Sequence, residues 1–193
     1  MRVIAGKAHG RRLTAPRGLA TRPTSARARE SIFSRLAVRI DLDGARVLDI
    51  FAGSGSLGLE ALSRGAAHVT FVDSSRAAAA AIRKNLESIG AAERARVMVA
   101  EMRRALAELS ESGGQFDLVF VDAPYKNDLS AEVVATVAGG NLVAPGGYVV
   151  VEQSKRALGP PAAAATFMLA NAATIGDHRI ALYRRLGAAP AAE

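Results

Sequence analysis

The stretch Asp49-Ile50-Phe51-Ala52-Gly53-Ser54-Gly55-Ser56-Leu57-Gly58 decides how the chain folds. It ends an apolar run that begins at Arg46. Its glycines let the backbone turn tightly from strand to helix and approach a ligand with no Cβ in the way. Gly53, Gly55 and Gly58 satisfy the spacing of a dinucleotide fingerprint, which alone is a weak signal. Two acidic positions sharpen it. Asp73 ends the next apolar run, 20 residues beyond Gly53, where a carboxylate can accept hydrogen bonds from both hydroxyls of a ribose. Asp49 stands immediately before the loop, where a negative charge repels a pyrophosphate but suits a ligand bearing an ammonium and a sulfonium.

The pair favours S-adenosylmethionine (SAM) over NAD as the cofactor, with Phe51, Gly53, Gly55 and Ser74 as its neighbours. The plainer alternative is that Asp49 hydrogen-bonds the loop backbone and Asp73 caps the following helix. Glu101-Met102, after a third strand, is placed to meet the adenine amino group and ring, or simply to open a helix.

Outward from the loop, apolar β-rich runs at 46–51, 68–73, 96–100, 116–122 and 148–152 alternate with helix-like segments near 57–64, 76–89, 102–110 and 129–138. Continuous apolar strands alternating with helices predict a parallel sheet covered on both faces. Strand-like runs at 166–174 and 178–186 follow with no helix between them, predicting an antiparallel hairpin at one edge. Before the loop, a small hairpin is expected from 2–5 and 11–14. A helix of about four turns follows, capped by Thr24 or Ser25, with Ile32, Phe33, Leu36 and Ile40 on one face and its arginines on the other. The division expected is a basic arm over 1–24, an α/β domain over 25–187 and a frayed tail over 188–193.

The fourth strand ends in Asp122-Ala123-Pro124-Tyr125, on the same edge as the glycine loop. An exocyclic amine on a nucleobase is a poor nucleophile because its lone pair is delocalised into the ring. Acceptors for its N–H groups draw it toward a tetrahedral, nucleophilic state. The Asp122 carboxylate and Ala123 carbonyl are two such acceptors, and Tyr125 offers a face for stacking worth about 1–3 kcal/mol per base. The base must leave its stack to reach them.

The 193 residues carry 25 Lys and Arg against 18 Asp and Glu. Eight of the basic residues lie within positions 1–29, which hold no acid, so the rest of the chain is close to neutral. One basic arm on a neutral body points to a polyanion, with Arg2, Lys7, Arg11, Arg12, Arg22, Arg27 and Arg29 as candidate RNA contacts. The absence of cysteine excludes disulfides, Cys-ligated zinc and thiol nucleophiles. Three scattered histidines give no metal spacing, so no metal is expected. No run suggests a membrane span or signal peptide, and a cytoplasmic monomer is the expectation.

These residues together resemble the RsmD-type 16S ribosomal RNA (guanine-N2)-methyltransferases. The likeness runs through Met1-Arg-Val-Ile-Ala-Gly-Lys7, Gly10-Arg-Arg-Leu13, Arg22-Pro-Thr24 with Arg27, Arg29 and Glu30-Ser-Ile-Phe33, the glycine loop to Glu60-Ala-Leu-Ser-Arg-Gly65, and the Asp-x-Pro-Tyr segment. The resemblance implies a Rossmann-like seven-stranded, mostly parallel sheet of the class I methyltransferases. It also implies SAM as cofactor and one guanine of 16S rRNA as target, in a 30S subunit or its assembly intermediate. The family pattern is Asp-Pro-Pro-Phe/Tyr, and Ala123 departs from it while keeping the carbonyl acceptor. Methylation of adenine N6 or of glutamine N5 is the alternative on similar loops. A non-catalytic ribosome-assembly factor and, more distantly, an NAD oxidoreductase are the alternatives of other classes.

Overall fold

The computed structural model describes residues 1–16, 25–123, 129–156 and 165–187. Its strands are β1 (Arg46–Ile50), β2 (His68–Asp73), β3 (Ala95–Val99), β4 (Phe116–Asp122), β5 (Val143–Ser154), β6 (Phe167–Ile175) and β7 (His178–Arg185). They form one sheet in the order β3-β2-β1-β4-β5-β7-β6. The first five run parallel, while β7 is antiparallel to both β5 and β6. The closing hairpin therefore sits at the edge with its second strand inward. The helices are α1 (Ala26–Ala37), α2 (Ser56–Ser63), α3 (Arg76–Ser88), α4 (Met102–Glu111) and α5 (Ser130–Gly139).

Alternation of side chains along each strand sorts the core into two layers. Val47, Val69, Phe71, Leu118, Phe120 and Val150 face α1, α2 and α3. Leu48, Ile50, Val72, Val119, Val121 and Val151 face α4 and α5. Val3, Ala8 and Leu13 of the N-terminal segment join the first layer, so this segment is packed into the core rather than trailing from it. Its hairpin is held by one antiparallel bridge, Arg2 to Arg12, and by the Val3 N–H donating to Arg11 O at 3.0 Å.

Three expectations need correction. The first helix is 12 residues long, capped by Ser25, whose hydroxyl accepts from Ala28 N at 3.1 Å. It ends before Ile40, which still packs against the core from the following turn. Its arginines do not all point outward: Arg29 is 1% exposed. β5 starts five residues earlier than expected, because Ala144-Pro-Gly-Gly147 bulges between paired positions and the ladder resumes on both sides. Pro145, Gly146 and Gly147 conceal that continuity in the sequence.

Candidate active site

β1 is flanked by β2 on one side and β4 on the other, which makes its carboxyl end the switch point where an open α/β sheet leaves a crevice. The chain leaves β1 through Phe51, a non-glycine residue at φ 60°. Strain of this kind persists only where surrounding bonds enforce it. Here the Ala52 N–H donates to Val72 O at 3.1 Å, the Gly53 N–H to Asp73 Oδ2 at 2.8 Å, and the Gly55 N–H to Ala52 O at 2.7 Å. Gly55, at φ 76°, is the N-cap of α2.

The glycines serve different ends. A Cβ on Gly53 would approach only Phe51 O, at 3.9 Å, so that side of the loop is left open for a ligand. A Cβ on Gly58 would lie 2.4 Å from the buried Phe71 ring, so this glycine is what lets α2 lie against β2.

Both acidic positions hold the loop backbone. Asp49 is 1% exposed and accepts from Gly58 N at 2.9 Å. Asp73 accepts from Gly53 N and, through its other oxygen, from Ser75 N at 2.8 Å. The plainer alternative is thus partly realised, although Ser75 rather than Asp73 caps α3. Electrostatics add what bonding alone does not. Burial raises the Asp49 pKa well above the ordinary aspartate range; the Gly58 bond opposes this, and the charges of Asp122 and Asp73 push it further up. Three carboxylates from the ends of β1, β2 and β4 therefore share one field, which a cationic ligand would relieve.

On the chemistry side, Asp122 ends β4 in register with Glu152 of β5, and Ala123 beyond it is buried. Pro124 and Tyr125 lie outside the described residues. Glu152 belongs to none of the sequence motifs. It is 2% exposed, and its Oε1 lies 2.6 Å from His178 Nδ1 on β7. The available signal was a carboxylate ending an apolar Val-Val-Val run, as Asp49, Asp73 and Asp122 end theirs. Of the adenine candidates, Glu101 is exposed at the head of α4, whereas Met102 is buried in the core beneath that helix. Ser74 is exposed beside Asp73.

Arg2, Lys7, Arg11, Arg12 and Arg27 are exposed around the hairpin and the start of α1, and Arg22 lies outside the described residues. Arg29 instead donates two bonds to Arg2 O at 3.2 Å, holding the hairpin from within. Burial pulls its pKa down, and the nearby Glu60 charge opposes that shift. Glu60, fully buried on α2, accepts from Ile4 N at 2.7 Å, Ala5 N at 3.0 Å and Arg64 Nε at 2.8 Å. Ser63 accepts from Ala8 N at 3.0 Å, and Gly6 passes so close that a Cβ would overlap Ser63 O. Neither Glu60 nor Ser63 was singled out, because a carboxylate and a hydroxyl within an apolar helix give no hint of a backbone partner more than 50 residues away. A cleft of about 640 Å³ opens between this hairpin and the start of α1, lined in part by Arg2, Ile4, Arg12 and Ser25.

A glycine loop over a carboxylate-lined switch point, on a sheet of this order, defines a Rossmann-like SAM-dependent methyltransferase. The chain belongs to the family described as "Conserved hypothetical protein 95", whose model matches residues 1–184, and the RsmD resemblance is thereby established. Ribosomal RNA small subunit methyltransferase D of Escherichia coli is 37% identical over 96% of this chain and 90% of its own length. The solved Escherichia coli protein yhhF superposes with a TM-score of 0.82 at 34% identity, covering 97% of this chain and 98% of that one. SMU.776, solved in complex with SAH, shares the fold with a TM-score of 0.64 at 12% identity, over 77% of this chain and 48% of that one.

Proposed function

We propose that this chain transfers a methyl group from SAM to the exocyclic N2 amine of a guanine in 16S rRNA, presented by a 30S subunit or assembly intermediate. The carrying observation is the convergence of Asp49, Asp73 and Asp122 at adjoining strand ends beneath the glycine loop. Bound SAM supplies an activated methyl on a sulfonium. Asp49 would set a negative field beneath the loop, and Asp73, at the end of β2, would accept from the ribose hydroxyls. Gly53 leaves room for the ligand to approach the backbone. Asp122 and the Ala123 carbonyl would accept from the target amine and aim its lone pair at the methyl, whose S–C bond breaks to leave neutral SAH while the amine's proton passes to Asp122 or water. Tyr125 stacks on the flipped base, and Arg2, Lys7, Arg11, Arg12, Arg22 and Arg27 neutralise phosphates around it.

The test is incubation of the protein with tritiated SAM and 30S particles from cells lacking the modification. Naked 16S rRNA, tRNA and DNA run beside them, and labelled nucleosides are identified after digestion. The expected product is N2-methylguanosine in 16S rRNA, reduced about 100-fold or more by Asp122→Ala with cofactor binding retained. Label in adenine or in protein, or none anywhere, would overturn the assignment.

A further inference from the structure

Asn85 lies on α3, 1% exposed, among apolar neighbours, and its side chain serves three backbone atoms. Its Oδ1 accepts from Thr14 N at 2.7 Å, and its Nδ2 donates to Thr14 O and to Ser54 O, both at 3.0 Å. Thr14 is where the basic hairpin leads into the rest of the arm. Ser54 lies between Gly53 and Gly55 in the cofactor loop. One buried amide thus grips both backbone groups of an arm residue and the carbonyl at the centre of the loop.

Hydrophobic packing alone would not select this arrangement, since Leu would fill similar space. A carboxylate or hydroxyl could not supply the acceptor together with two donors. The same helix stiffens the loop from a second side, because Ile82 packs so closely on Gly55 that a Cβ there would lie 3.1 Å from its side chain.

We propose that Asn85 is a positioning residue that couples the RNA-contacting arm to the cofactor loop, so that occupancy of either site strengthens binding at the other. The inference rests on the function proposed above. Ordering the loop around a cofactor fixes Ser54 O, which fixes the amide plane, which fixes Thr14. An arm held at Thr14 presents its cations in one geometry. Coupling of this kind is reciprocal by thermodynamic necessity, and its usual size is about 5- to 150-fold in affinity.

The experiment measures the Kd of 30S particles for the protein with and without saturating SAH, and the Kd of SAH alone. Two variants separate coupling from folding. Asn85→Asp keeps the acceptor for Thr14 N and removes the donor to Ser54 O and Thr14 O. Thr14→Pro removes the arm's N–H and leaves α3 and the loop untouched. In the unmodified protein SAH is expected to tighten 30S binding about 10-fold. In both variants the ratio is expected to fall to within about twofold of unity, while Thr14→Pro keeps its SAH affinity. A merely structural Asn85 would change thermal stability and leave the ratio intact, which overturns the inference. Binding of both ligands without coupling in the unmodified protein also overturns it, and leaves the proposed function standing. Failure to bind either ligand overturns the function and the coupling together.

Discussion

The two faces of the sheet bury different kinds of matter. Beneath α1, α2 and α3 lie Arg29, Asp49, Glu60 and Asn85, each 1% exposed or less, with Glu152 and His178 on the same side by strand alternation. Beneath α4 and α5, no charged side chain is buried among the described residues, and the polar ones there are neutral, such as Thr70 and Ser130. Charge on that side stays at the surface, in pairs such as Arg103 with Glu132. Apolar packing suffices to hold a helix on a sheet. Buried charge is costly unless fully bonded, so its confinement to one face marks where the fold specifies position as well as stability. That face carries the arm, the glycine loop and the carboxylates.

The sharpest way to break this contrast is Glu60→Ala. It strips two hairpin N–H groups of their acceptor, removes Arg64's partner and leaves Arg29 buried without a counter-charge. A loss of about 3–5 kcal/mol is expected from urea denaturation. Limited proteolysis should meanwhile cut within the first 13 residues before the rest unfolds. Leu106→Ala on the other face should cost about 2–5 kcal/mol by cavity formation and leave the hairpin protected. Equal protease sensitivity in the two variants would show that the faces are not specialised.

Gly58→Ala probes the same face by volume rather than charge. The added Cβ meets the Phe71 ring at 2.4 Å, and Phe71 is fully buried with little room to move. A cost of about 1–3 kcal/mol is expected. The displacement of α2 should also weaken cofactor binding, read by calorimetry. A Gly58→Ala protein of unchanged stability would mean that the loop, not helix packing, requires this glycine.

The Asp49 carboxyl, raised well above its ordinary range by burial and by its acidic neighbours, ties cofactor affinity to pH. In the ligand-free protein the native state holds this proton to higher pH than the unfolded chain does. Stability therefore falls as pH rises from the ordinary aspartate range through the raised pKa. A cation bound nearby favours the ionised form, so binding expels the proton. Cofactor affinity should rise with pH across the same window, by at most about tenfold per pH unit. Asp49→Asn should flatten that dependence, and calorimetry in buffers of different ionisation enthalpy should no longer detect a released proton.

How much of this was legible follows from the range of the signals. Strand-helix alternation and the glycine loop are written in neighbouring residues, and the sheet emerged from them with β2 and β4 bounded as read. Asp49, Asp73 and Asp122 were legible because each ends an apolar run at the edge where ligands gather. Glu60, Asn85 and Glu152 were not, because their partners lie 26 to 71 residues away and only the fold brings them together. The arm's charge was visible as composition. That Arg29 turns inward to hold Arg2 was not, since an arginine on a basic helix looks the same whichever way it points.

Arg103 Nε meets Glu132 Oε1 at 2.5 Å and its Nη2 meets Oε2 at 2.8 Å, a two-pronged pair joining α4 to α5. Through this bond the carboxylate raises the Arg103 pKa and the guanidinium lowers that of Glu132. Water nevertheless screens the attraction, and fixing two long side chains opposes it. Arg103→Ala should shift Tm by less than about 2 °C, and by less still at high salt, with methyl transfer unchanged. The geometry here is better than at Arg29, whose bonds to Arg2 O are longer. If Arg103→Ala destabilised the protein as strongly as Glu60→Ala, bond geometry would outrank burial in deciding what a charge contributes, and the division between the faces would lose its physical basis.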